Sequence, residues 1–260
     1  MSGFSKMRAL AISSRYGRSV SLAAPDLMPE DTMGEIEKNV SRIREKIEQA
    51  AAKAGRDPQG IKLMAVTKTV SVAMIRETMA AGVTIFGENY VQEATAKVEE
   101  IGQSGIQWHL IGHLQTNKAK YAVRLFDLIH SVDSVTLARE LDKRAAAAGK
   151  SVDCLIEVNL SQEASKFGIG KQRTPELAHA FKDLKNISLQ GLMTMPPYAD
   201  DPEAARPYFI ALRELREEIA GSGIPLPELS MGMSTDFEVA IEEGATIVRV
   251  GRAIFGERSE

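Results

Sequence analysis

The chain has 260 residues, 44% hydrophobic and 26% charged, the composition of an ordinary soluble globule with enough apolar material for a sizeable core. Its formal net charge is −3 at pH 7 with acids and bases mixed along the chain, and no basic stripe marks a nucleic-acid surface. One cysteine, Cys154, excludes an internal disulfide, and no apolar run nears the ~18 residues of a membrane span.

Residues 1–32 differ in texture from the rest. Lys6, Arg8, Arg15 and Arg18 occur among serines, with no acid before Asp26. That is the composition of an organelle transit peptide. An upstream start, with Met28 or Met33 as the true one, is the reading preferred here, and poor order is expected either way. From Met33 a helical stripe begins: Ile36, Val40, Ile43, Ile47, Ala50, Ala51 and Ala54, closed by Gly55.

After this helix, short apolar runs alternate with helical patterns. Strands are expected at 62–67, 83–86, 107–111, 127–131, 152–159, 188–194, 227–232 and 246–250. Helices are expected near 71–81, 89–101, 116–123, 134–148, 175–185, 203–220 and 235–243. The sixth of these carries a stripe of Tyr208, Leu212, Leu215 and Ile219, with Pro202 near its start. Eight strands and seven intervening helices, with one helix in front, is the count for a single-domain (β/α)8 TIM barrel over residues 33–260. Continuous apolar runs such as "LIEV" suit parallel strands covered on both sides. A doubly wound sheet is the competitor, but G-x-G-x-x-G is absent after the first strand.

In such a barrel the chemistry lies just after the strands. The segments there are polar and rich in glycine: Lys68, "GEN" at 87–89, "GHLQTNK" at 112–118, "SVDS" at 131–134, Asn159, "MTMPP" at 193–197, "GMSTD" at 232–236 and "RVGRAIFG" at 249–256. Lys68 alone could simply reach into water. At a barrel mouth, partial burial favours the neutral amine, which can attack an aldehyde to form a Schiff base. Ser234, Thr235 and Asp236 open a helix. Thr235 and Glu238 have capping-box spacing, and the same free N–H groups suit a phosphate. Arg249, Gly251 and Arg252 follow in the last strand and loop. A phosphate held between the loops after strands seven and eight is a recurrent barrel arrangement. Arg249 lies within the strand and needs a partner on whichever side it faces.

Other features read more plainly. His109 and His113 lack acidic or thiol neighbours at metal-ligand spacing, so no metal is expected. Met193, Met195, Met231 and Met233 read as core or pocket lining, and Cys154 as a buried structural thiol.

A Schiff-base lysine after strand one and a phosphate site after strands seven and eight together describe pyridoxal 5′-phosphate (PLP). Here the sequence resembles the single-domain pyridoxal phosphate homeostasis proteins, which are similar to the barrel domain of alanine racemase. The segments that carry the resemblance are "LMAVTKT", "FGENYVQE", "WHLIGHLQTNK", "EVNLSQEASKFGI", "GLMTMPP" and "LSMGMSTDFEVAIEEGATIVRVGRAIFGER", in order from Met33 to Arg258. The resemblance implies that Lys68 carries PLP and that Ser234 and Thr235, with the backbone of Gly251 and Arg252, hold its phosphate. It implies that Arg249 faces the pyridine nitrogen and that Asn89 and His113 lie near the ring or its oxygens. Lys166 also matches, without an evident task.

Arginine has no proton to give, so a ring nitrogen facing Arg249 stays unprotonated and is a weaker electron sink. The sequence shows no second domain to bring an opposite-face base, as alanine racemase has. A carrier or buffer of PLP in the cytoplasm is therefore the expectation, with no catalytic residue assigned. Its partners are PLP and PLP-requiring apoenzymes, and it is expected to be a monomer. Two rivals stay open: a PLP-dependent amino-acid racemase, and a lyase forming a Schiff base with a phosphorylated aldehyde or ketone. An organellar setting is the alternative if residues 1–32 are a transit peptide.

Overall fold

The structure, a computed structural model, describes residues 34–103, 105–161, 163 and 167–257. The expectations for residues 1–32 and for Lys166 lie outside these. The first helix, α1 (Glu35–Lys53), buries Ile36, Val40, Ile43, Ile47, Ala50 and Ala51 as its periodicity requires. Glu35 and Glu37 in its first turn and Lys53 in its last complement the helix dipole.

Nine strands follow among the described residues: β1 (Lys62–Val66), β2 (Ile85–Glu88), β3 (Gln107–Leu110), β4 (Leu128–Val132), β5 (Val152–Asn159), β6 (Ile169–Gly170), β7 (Ile187–Met193), β8 (Glu228–Ser230) and β9 (Ile247–Val250). Eight of them run β4-β3-β2-β1-β9-β8-β7-β5, and β5 pairs again with β4, so the sheet closes. The pairings are parallel. A closed ring of eight parallel strands is the expected barrel, and closure excludes the open doubly wound sheet. The remaining strand, β6, only extends the far end of β5 through Val158 and Asn159.

The helices are α2 (Val72–Ala80), α3 (Val91–Ile101), α4 (Ala119–Leu125), α5 (Val135–Ala148), α6 (Thr174–Ala180), α7 (Arg206–Gly221), α8 (Phe237–Glu242) and α9 (Arg252–Phe255). They cover the outside of the barrel, and α1 lies over α8 and α9. Asn39 Nδ2 donates to Ile254 O at 3.0 Å, while Lys46 and Lys53 reach Glu238 and Glu242 at 2.6 Å. No helix among the described residues is long and apolar enough to cross a membrane.

Strand alternation divides the core in two. Met64, Ile85, Leu128, Leu155, Met193 and Ile247 fill the barrel interior as one cluster. Ala65, Val248 and Val250, their neighbours along the strands, pack outward with the helices. Arg249 lies between the two outward valines, so its side chain points into the barrel. Cys154 is buried and free, as expected.

Several expected boundaries move. β2 begins at Ile85 rather than residue 83 and continues through Glu88, because a buried lysine partner lets that carboxyl stay in the core. The sixth expected helix starts as a 3-10 turn, Pro202–Ala205, and becomes α-helical at Arg206 beside Pro207. Its buried stripe is Phe209, Leu212, Leu215 and Ile219, with Phe209 taking the place expected for Tyr208. The helix expected over 175–185 stops at Ala180 and ends in a 3-10 turn. The capping box of Thr235 and Glu238 does not form. Asp236 holds the N-cap position of α8, and its Oδ1 accepts from Met233 N at 2.6 Å, while Glu238 is taken by Lys46.

Candidate functional site

The strand ends at the C-terminal mouth surround a cleft of about 690 Å³. Lys68, Asn89, Ser234, Thr235, Arg249, Gly251 and Arg252 all line it. The order of the strands explains the convergence. β1 lies beside β9, and β9 beside β8, so Lys68 and the loops after β8 and β9 occupy neighbouring positions on one arc of the rim.

Lys68 sits in the tight turn that follows β1, where Val70 N donates to Thr67 O at 2.9 Å. Thr69, the next residue, has φ 59°, a left-handed conformation that a β-branched side chain rarely takes. Asn89 follows β2, and its loop touches the one after β3. A Cβ on Gly112 would come 2.3 Å from Asn89 O, so only glycine permits this approach.

On the neighbouring strands, Ser234 Oγ accepts from Gly251 N at 3.2 Å and Ala253 N at 3.4 Å, tying the loop after β8 to that after β9. Thr235 and Arg252 are exposed at the rim, and the Arg252 guanidinium lies 5.8 Å from the Tyr198 ring centre. Two hydroxyls, backbone N–H groups and a guanidinium thus gather on one side of the cleft. That is a donor set suited to a phosphate.

Arg249 is 3% exposed and reaches the floor of the cleft from inside the barrel. Its Nη1 donates to Ser230 Oγ at 2.7 Å and its Nη2 to Thr194 O at 2.9 Å. Burial lowers its pKa to about 10, with Asp236 and Glu157 opposing that fall, so it remains a cation near neutrality. Behind Ser230 the polar chain continues. His130 Nδ1 is 3.0 Å from Ser230 Oγ, and His130 Nε2 is 3.1 Å from His109 Nδ1. Burial drives His109 down to about 3 and His130 well below its usual value, so both rings are neutral.

Glu157, on β5, also lines the cleft and is 3% exposed. Its Oε2 has no hydrogen-bond partner among the described residues. Burial, helped by Asp133 and opposed by Arg249, pushes its carboxyl up to about 7. Sequence reasoning passed over this residue, although an acid alternating inward with Leu155 in an apolar strand was the available signal. It also missed His130 and Ser230, which read as ordinary strand residues until the barrel closes.

The other sequence candidates fall at the edges. His113 lines the cleft, stacked on Phe167 at 3.9 Å between ring centres, with Nδ1 3.6 Å from Asp133 Oδ2. Met195 and Met233 line the cleft too, whereas Met193 and Met231 are core. Asn159 does not line the cleft; its Nδ2 donates to Glu163 O at 3.0 Å within its own loop.

Comparison with known proteins agrees with the barrel fold. Residues 38–259 match the family described as alanine racemase, N-terminal domain. A protein of Aquifex aeolicus named pyridoxal phosphate homeostasis protein is 48% identical over 220 residues, covering 84% of this chain and 96% of the relative. The solved structure of PipY from Synechococcus elongatus with PLP bound matches with a TM-score of 0.73 at 36% identity, covering 85% of this chain and 100% of that one. An alanine racemase of Clostridium difficile shares the fold alone, with a TM-score of 0.66 at 14% identity, over 86% of this chain and 58% of that one.

Proposed function

The chain belongs to the family of pyridoxal phosphate homeostasis proteins, and from that membership we propose that it binds PLP on Lys68 and buffers or delivers it. The observation that carries this reading is the convergence of Lys68 with the phosphate-type donors of residues 234–235 and 251–252 in one cleft. The residues fit the cofactor. An amine, a cluster of hydroxyl and N–H donors, a held arginine and an orphaned buried carboxyl oxygen all line the same space.

When bound, PLP supplies an aldehyde that condenses with an amine, releasing one water. The chain's own part is binding and orientation. Lys68 Nζ provides the amine. Ser234, Thr235 and the N–H groups of Gly251 and Arg252 take the phosphate, with Arg252 adding charge. Arg249, fixed by Ser230 and Thr194, would be the residue at the ring nitrogen and would give it no proton. Asn89 and His113, which line the same cleft, would border the ring. We assign no catalytic residue.

The binding unit is residues 33–260, with 1–32 an extension outside it. The proposed working unit is a monomer. The proposed recipients are PLP-requiring apoenzymes, and the proposed setting is the cytoplasm. Two measurements test the carrier role. PLP-loaded protein should restore an apoenzyme in the absence of free PLP. With single amino-acid enantiomers in deuterated water it should exchange the α-proton no faster than free PLP does. Exchange at enzymatic rates would replace the carrier with an enzyme.

A further inference from the structure

The motif "FGENYVQEATAK" contributes only Asn89 to the proposed ligand contacts, although it runs along the rim beside Lys68. Its Glu88, Glu93 and Lys97 converge on the turn that carries Lys68. Lys97 is nearly buried, with its side chain 8% exposed and that of Glu88 0% exposed. Its Nζ donates to Thr67 O at 2.6 Å, Glu88 Oε1 at 2.8 Å and Glu93 Oε1 at 2.7 Å, which uses the three donors an ammonium has.

The two carboxylates pass that hold to both sides of Lys68. Glu88 Oε1 accepts from Thr67 Oγ1 at 2.6 Å, and Glu93 Oε1 accepts from Thr69 N at 2.5 Å. The residue so gripped on the far side, Thr69, is the described non-glycine residue with positive φ. A threonine held there stores strain that persists only where its surroundings over-determine it.

We propose that Lys97, through Glu88 and Glu93, is a positioning residue that locks the Thr67–Val70 turn in its strained form and so aims the Lys68 amine into the cleft. This deepens the reading of Lys68 as the PLP-bearing residue and rests on it. Burying an ammonium is costly unless its donors are all used, as those of Lys97 are, although Glu88 Oε2 has no hydrogen-bond partner among the described residues; a lysine serving only as a surface charge would not be placed so. Three hydrogen bonds on one amine, two of them relayed to the residues either side of Lys68, make the turn a single unit with the start of α3.

The test uses the full chain. Lys97→Met removes the ammonium and keeps the length of the side chain. Glu93→Ala removes the partly buried relay to Thr69 N together with one of the three Lys97 bonds, leaves Glu88 paired, and stands in if Lys97→Met does not fold. Each is made alone and with Thr69→Gly, since glycine takes positive φ without strain. The readouts are PLP affinity, the visible absorbance band of the loaded protein, and the fraction of PLP fixed by borohydride. Each single variant should bind PLP about tenfold more weakly and fix less of it. Adding Thr69→Gly should recover most of that loss, which a merely structural role would not allow. Wild-type affinity in the single variants, or no recovery in the doubles, would overturn the clamp. Lys68→Ala in the same series separates the two ideas. If wild-type protein shows no Lys68-dependent band, the PLP reading falls; if that band stands and the clamp variants match wild type, only the clamp falls.

Discussion

Glu157 and Ser234 show how single side chains in the cleft set its chemistry. The carboxyl of Glu157 is raised from 4.5 to about 7 by burial, so the fold disfavours its charged form. Its effect is absent below pH ~4.5, where the group is protonated in both states, and grows as pH rises towards 7. Glu157→Gln should therefore match wild type in acid and exceed it above pH 7, by on the order of 1–3 kcal/mol in denaturant titrations. Equal stabilities at pH 5 and pH 8 would show that the carboxyl is not raised. Ser234 holds the phosphate-side loops together and offers its hydroxyl to a ligand. Ser234→Ala should weaken PLP about tenfold while changing pyridoxal, which lacks the phosphate, much less. Equal losses for both ligands would remove Ser234 from the phosphate site. Lys68, Ser234 and Arg249 were legible because their residue types are out of place just after or within apolar strands. Glu157, Ser230 and His130 were not, because their partners lie on distant strands and only barrel closure brings them together.

At the scale of elements, long periodic segments could be read and short ones could not. α1 buries the stripe its sequence displays, and six of the eight barrel strands fall within a residue of expectation at both ends. β6 and α9, with two and four residues, are too short for any period to show. The shift of β2 has a chemical cause, since Glu88 enters the core only because Lys97 meets it there. α1 does more than precede the barrel: its apolar face and Asn39 secure α8 and α9, which carry the phosphate-side loops. Ile43→Ala should cost about 2–4 kcal/mol, read as a lower denaturant midpoint at unchanged slope. PLP affinity should fall little where the variant is folded. A loss below about 0.5 kcal/mol would mean that α1 is not part of the folded unit.

At the largest scale the described residues form a closed barrel, with a polar chain running from neutral His109 and His130 through Ser230 to the charged Arg249 at the ligand cleft. Fold class followed from alternation and strand count, because closure is the usual way for eight parallel strands to bury both faces. The interior chain has a cost in acid. His109 and His130 are neutral because burial opposes their charge. Their contribution is complete above the unfolded value near 6.5 and is lost as pH falls below it, for His109 down towards about 3. Thermal midpoints should decline through that window, and His109→Phe should flatten the decline if the pair causes it. An unchanged profile would assign acid sensitivity elsewhere. Above these properties stands the claim that Lys68 carries PLP, which borohydride reduction of PLP-loaded protein followed by peptide mapping tests most directly. The label should lie on the peptide containing Lys68 and vanish, with the visible band, in Lys68→Ala. A label on another lysine, or a band that survives Lys68→Ala, would contradict the account.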